Sequence, residues 1–97
     1  MNCILNCLEY AHEIGYVLDK KTCLYAAEHG YLDCLTYAHE NGCEWDKNTC
    51  WVAAKNGHLD CLKYAIEHDC PCDAKARQLA TENNHQECFE YLLSKNL

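Results

Sequence analysis

The sequence predicts an all-α solenoid of antiparallel helix pairs, and three observations carry that prediction. Cysteine returns at Cys7, Cys34, Cys61 and Cys88, in steps of 27 residues. The same phrase surrounds each: Cys7-Leu8-Glu9-Tyr10-Ala11, Cys34-Leu35-Thr36-Tyr37-Ala38, Cys61-Leu62-Lys63-Tyr64-Ala65 and Cys88-Phe89-Glu90-Tyr91-Leu92. Helix punctuation recurs at that period too, with Asp19, Asp46 and Asp73 ahead of a helical pattern and Gly30 and Gly57 behind it. A fixed period of this length marks stacked repeats, in which each unit buries its face against its neighbours.

The first element, Met1 to Glu13, reads as the second helix of a pair with no first helix before it. Its Ile4, Leu5 and Leu8, and the Tyr16-Val17-Leu18 run after it, lack an obvious cover. A folded-back N-terminus, a self-association surface and a natural truncation of a longer array all fit. After this half repeat (1–18) come three units, at 19–45, 46–72 and 73–97.

In each unit an aspartate opens helix A, because its carboxylate accepts orphan amide hydrogens and its charge suits the helix dipole. The central unit shows the grammar best. Cys50, Ala53, Ala54 and Gly57 form a small-residue stripe that admits a close neighbour, and Gly57 supplies a left-handed stop. Helix B then runs from Leu59 to about His68, with Leu59, Leu62, Ala65 and Ile66 inward and Asp60, Lys63 and Glu67 outward. The Gly57-His58 link is short enough to force an antiparallel hairpin. Pro71 keeps Cys70 out of helix, and Asp73 caps the next helix A. One unit earlier, Asp19 caps Lys20 to His29, Gly30 stops it, and Leu32 to Glu40 is helix B. In the last unit Ala74 to Asn83 is helix A, Asn84 replaces the glycine, and Gln86 to Ser94 closes the chain. The polar Arg77, Gln78, Thr81, Glu82 and Asn83 suit a capping repeat.

With 49% hydrophobic and 24% charged residues, the 97-residue chain has material for one core and is not disordered in composition. A formal charge of −7 offers no basic stripe for phosphates, so neither nucleic acid nor an acidic membrane is an expected partner. No apolar run reaches the roughly 18 residues of a membrane span. The N-terminus has no basic leader, so an intracellular, cytoplasmic protein is expected.

Ten cysteines raise the idea of a disulfide scaffold. Equivalent positions in stacked helices lie about 8–10 Å apart, whereas a disulfide needs Cα atoms within about 7 Å. The Cys7/Cys34/Cys61/Cys88 series therefore cannot pair with itself, nor Cys23 with Cys50, nor Cys43 with Cys70. Free thiols acting as small core hydrophobes are the expectation.

The phrase Ala53-Ala54-Lys55-Asn56-Gly57-His58-Leu59-Asp60-Cys61-Leu62-Lys63-Tyr64 resembles the ankyrin repeat, whose core reads Ala-Ala-x-x-Gly-His-x-x-x-Val-x-x-Leu. The resemblance covers nearly the whole chain. Ankyrin units are about 33 residues long and include a β-hairpin finger, so the 27-residue unit implies a shortened loop at 41–46 and 68–73. The family's Thr-Pro-Leu-His opening becomes Thr22-Cys23-Leu24-Tyr25 and Thr49-Cys50-Trp51-Val52. The short unit, with Tyr-Ala-His-Glu-Asn-Gly-Cys and a Trp-Asp loop, looks like the ankyrin-type proteins that giant DNA viruses of amoebae encode, which would make a partner a host protein in host cytoplasm.

No nucleophile with a base, paired-carboxylate site or phosphate-cradling loop appears, so no enzyme activity, catalytic residue or cofactor is expected. Cys70-Pro71-Cys72, with Cys43 and His68, is the best zinc candidate. Its C-x-C spacing occurs once, so no metal site is expected. His12 and His39 fall where Ile66 and Leu93 stand in later units, which makes them packing positions first. His58 and His85, beside the interhelix turn, are expected to bond backbone between repeats. The surface that varies between units is that of helix A and the loop, which the resemblance makes a protein-binding face: Leu24, Tyr31, Trp45, Trp51, Lys55 and His58. For Trp45 and Trp51 the other reading is that they cover the stack where the alanine-rich helices leave room. The acidic chain selects a neutral or basic partner. The alternatives are a homo-oligomer built through the apolar N-terminal helix and a cysteine-rich metal binder.

Overall fold

The computed structural model describes residues 3–15 and 17–96, with side chains from Leu8 onward. Among the described residues there are seven helices and no strand: α1 (Cys3–Glu13), α2 (Lys20–His29), α3 (Leu32–Glu40), α4 (Lys47–Lys55), α5 (Leu59–Glu67), α6 (Ala74–Glu82) and α7 (Gln86–Ser94). Helices α2, α4 and α6 are the helices A, and α1, α3, α5 and α7 the helices B. The stack measures 41 × 24 × 17 Å.

Sequence-local chemistry sets the helix ends. Asp19, Asp46 and Asp73 are the N-caps of α2, α4 and α6, in extended backbone, and each carboxylate accepts an amide of the first turn. At the other end Gly30 and Gly57 have φ of 75° and 74°, and Asn84 takes the same left-handed conformation at φ 60°. Tyr31, His58 and His85 then open the helices B without a side-chain cap, in one shared conformation.

The two layers differ in packing. Helices A offer Ala26, Ala27, Ala53, Ala54, Ala76 and Ala80 to each other, all at most 1% exposed. They therefore approach closely, and α4 packs more extensively on α2 and α6 than neighbouring helices B pack on one another. A stack that is tighter on one side tends to bend toward it, so the side of the helices A is termed the inner face and that of the helices B the outer one. Leu35, Leu62 and Leu92 of the helices B complete the core. The first helix is covered only in part. Leu8 and Leu18 pack against the core, whereas Tyr10, Ile14 and Val17 are 65%, 67% and 75% exposed. Ile4, Leu5 and Tyr16, part of the same expectation, lie outside the described side chains.

The expected small hydrophobes Cys23, Cys34, Cys50, Cys61 and Cys88 are buried, and Cys43 and Cys70 join them. The expectation of free thiols throughout needs correction. Cys50 and Cys72 form a disulfide, with Cα atoms 5.9 Å apart. The stacking argument excludes pairs at one register position, and this pair joins two different ones. Cys72 stands two residues beyond Cys70, in the loop that reaches back over α4. In the preceding unit Trp45 holds that register, and Cys23 instead contacts Cys43, with Sγ atoms 2.9 Å apart. Digestion without reductant, with the products read by mass spectrometry, is expected to give a Cys50–Cys72 linked peptide and to leave Cys34, Cys61 and Cys88 alkylated after denaturation. Recovery of Cys50 as an alkylated peptide would contradict the pairing.

Candidate interaction surface

Three side-chain groups stand on this frame. At the C-terminal end of α2, Tyr25, His29 and Tyr31 form an aromatic group. Tyr25 and His29 lie 4.4 Å apart and His29 stacks on Tyr31 at 5.7 Å. The i, i+4 spacing of Tyr25 and His29 puts both on one face of the helix. His58 lies at the same end of the helix pair. Its Nε2 donates to the Glu28 carbonyl at 3.1 Å, and its ring covers Gly30 so closely that a Cβ there would stand 2.5 Å from it. The expected backbone bond between repeats is thus present. Lys55 is exposed at the end of α4.

The second group joins α4 to α6. The Trp51 indole donates from Nε1 to the Asp73 carboxylate at 2.9 Å, Lys75 lies over the ring at 4.7 Å, and Lys47 reaches Asp73 at 3.6 Å. The indole N–H, the Lys75 amide and Lys47 hold the Asp73 carboxyl below its ordinary range against the opposing effect of burial. Trp51 therefore spends its polar atom and one ring face on the next repeat.

The third group lies on the other layer. Trp45 stacks on His39 at 4.1 Å and meets Tyr64 edge-on at 6.0 Å, while Tyr64 stacks on His68 at 4.0 Å. Of the six residues expected on one face, the structure sets His58 against the end of α2 next to Tyr31, leaves Lys55 exposed at the end of α4, places Leu24 half-buried on α2, turns Trp51 toward α6, and sets Trp45 among helices B. Sequence reasoning missed Tyr25. Its exposure, 53%, comes from standing two positions after buried Cys23 on a short helix, a signal that was present in the spacing.

His39 has its Nδ1 buried without a hydrogen-bond partner among the described residues. Burial lowers its pKa, and nearby His68 lowers it further, outweighing the opposite pull of Glu40. A base whose folded pKa is depressed stabilises the fold fully above its ordinary 6.5 and loses that contribution as the pH falls through the folded value. The melting temperature is expected to drop between about pH 7.5 and 5.5, and His39→Leu, which copies Leu93 at the same register, to flatten that slope. An unchanged slope in the variant would contradict the assignment.

Nothing in these groups resembles a catalytic site. Burial pushes the Cys61 thiol up to about 12, with Asp60 adding to it, and burial likewise pushes Cys70 up to about 12. Such thiols are poor nucleophiles. Among the described residues no group of three or more His, Cys, Asp or Glu is placed to hold a metal ion, and the disulfide engages Cys72. No helix among them is long and apolar enough to cross a membrane. Residues 23–97 match the family model for ankyrin repeats, in three copies. No curated protein matches the chain.

Proposed function

Since the chain belongs to the ankyrin-repeat family, whose members are generally protein–protein interaction modules and typically non-enzymatic, we propose that it binds a partner protein on the inner face formed by helices A and their turns. The supporting observation is the aromatic edge of α2, where Tyr25, His29 and Tyr31 present ring surface with His58 bonded to the end of the same helix. Exposed aromatic side chains supply large contact area at low entropic cost and anchor many interfaces. Leu24 extends this patch along α2. Trp51 contributes by bracing α4 against α6 more than by direct contact. The short loops make the face shallow, which suits an extended or flat partner surface. If the chain is viral, that partner is a protein of the host cytoplasm.

The experiment is comparative affinity capture from the native cell, with the wild type beside a Tyr25→Ser/Lys55→Glu variant. A partner retained by the first and lost by the second, with the helical content of both unchanged, supports the inner face. Equal retention overturns it.

A second reading has its own observation. Tyr10, Ile14 and Val17 leave an apolar patch on the open end of the stack, which fits self-association through the N-terminal helix. Light scattering on the wild type and on Ile14→Lys/Val17→Lys tests it. A wild-type dimer that becomes monomeric supports this reading, and a monomer in both rejects it.

A further inference from the structure

The charge of this protein is sorted by layer. The helices B carry eight carboxylates against one lysine, Lys63, a balance equal to the −7 of the whole chain. The helices A carry six basic residues against two glutamates, and their three aspartate caps bring that layer close to neutral. The acidity expected of the surface at large therefore sits on the outer face, away from the inner one.

That outer face also repeats a motif. Tyr10, Tyr37, Tyr64 and Tyr91 succeed one another at 27-residue steps, and Glu13, Glu40 and Glu67 stand three residues behind the first three. One helical turn separates each such tyrosine and glutamate, so both lie on one face. The rows also meet across units. Burial raises the Tyr64 phenol and Glu40 of the preceding helix B raises it further. Burial and then Glu67 do the same to Tyr91. Glu13, Glu40 and Glu67 are exposed, and among the described residues no ion pair engages them. The surface already attracts cations from its own chain, since Lys63 and Lys95 lie over the Tyr91 ring at 5.6 and 5.5 Å. Thr36 occupies the register of Lys63 one unit earlier, and Tyr64 is engaged there by the Thr36 side chain and by the stacked His68 instead of a lysine.

We propose that the outer face of the helices B is a second docking surface, whose occupant is an extended lysine- or arginine-rich segment of a partner protein. Charge complementarity selects that occupant over an acidic chain or a nucleic acid, both of which a face of −7 repels. Arginine and lysine gain from the carboxylates, and at the exposed Tyr10 beside Glu13 from the ring as well. The Tyr64 ring is already stacked on His68, and the Tyr91 ring already lies under Lys63 and Lys95. The spacing is also specified. Neighbouring helices lie about 8–10 Å apart and an extended chain advances about 3.3–3.6 Å per residue. A basic residue at about every third position meets one carboxylate per repeat.

The test uses fluorescence anisotropy on the whole chain with a labelled peptide of repeated Arg-Gly-Gly, beside Ser-Gly-Gly and Glu-Gly-Gly peptides. Binding of the arginine peptide alone is expected, weakening as salt rises from about 50 to about 200 mM. Glu13→Gln/Glu40→Gln/Glu67→Gln is expected to weaken it about tenfold. Glu28→Gln/Glu82→Gln, on the helices A, is expected to leave it unchanged. All substitutions are on exposed positions, and circular dichroism verifies that the helices persist. No arginine-peptide binding, equal binding of the serine peptide, or equal loss in the helix A variant would overturn the proposal. None of these outcomes bears on the inner face, whose test uses Tyr25 and Lys55.

Discussion

Gly57→Ala is expected to destabilise the fold by about 2–5 kcal/mol, from two separable causes. Gly57 has φ of 74°, a left-handed conformation that costs an L-residue about 1–2 kcal/mol. The new Cβ would also collide with the His85 imidazole of the next repeat, and overpacking of this kind costs about 1–3 kcal/mol. Gly42→Ala separates them. Gly42 has φ of 88°, and a Cβ there meets nothing within 4 Å, so only the conformational cost of about 1–2 kcal/mol applies. Adding His85→Ala to Gly57→Ala is expected to return the collision share and nothing more, a non-additivity that a double-mutant cycle reads directly. Equal losses at Gly57 and Gly42 in urea unfolding would mean that the ring yields freely.

Leu62→Ala is expected to cost about 2–5 kcal/mol, the range for emptying a closed core site. Leu62 is fully buried in α5, which packs on α4 and on the flanking α3 and α7. In a quasi-one-dimensional stack, stability is a sum of unit and interface contributions. A cavity in the central unit thus weakens both of its interfaces. Against a total of about 5–15 kcal/mol for a typical domain, the loss is large enough to bring unfolding near ambient temperature. Leu93→Ala, half-exposed in α7, is expected to stay within about 0.5 kcal/mol. A Leu62 variant with a wild-type urea midpoint would refute the reading of this residue as the centre of the core.

Most of the fold was legible because its determinants are local and repeated. The aspartate caps and the Gly30 and Gly57 stops place each helix end after α1 within one residue of the expected position. Burial obeyed the same logic, since Cys23, Cys34, Cys50, Cys61 and Cys88 recur at register positions that only the core can host. The period could not convey direction within a loop. Cys70 and Cys72 are both loop cysteines, and their reach toward Cys50 depends on how the chain turns at Pro71. Trp45 stood between two readings for the same reason: a loop residue can lean on either layer, and its contacts with His39 and Tyr64 set it against the helices B. The sorting of charge between layers was in the sequence all along, yet a net −7 conceals it until each charged residue is assigned to a helix.

The disulfide has a mechanical consequence. Cys50 lies in α4 and Cys72 just ahead of α6, with a sequence separation of 22. A load applied at the chain ends passes from one sulfur to the other and bypasses everything between them. Helix α5 and its turns therefore carry no tension while the bond is intact. At about 3.3–3.6 Å per residue, the bypassed segment holds back roughly 75 Å of contour length that only reduction releases. Under traction, this protein is a short chain around a sheltered central helix, and a reductant sets its extensibility.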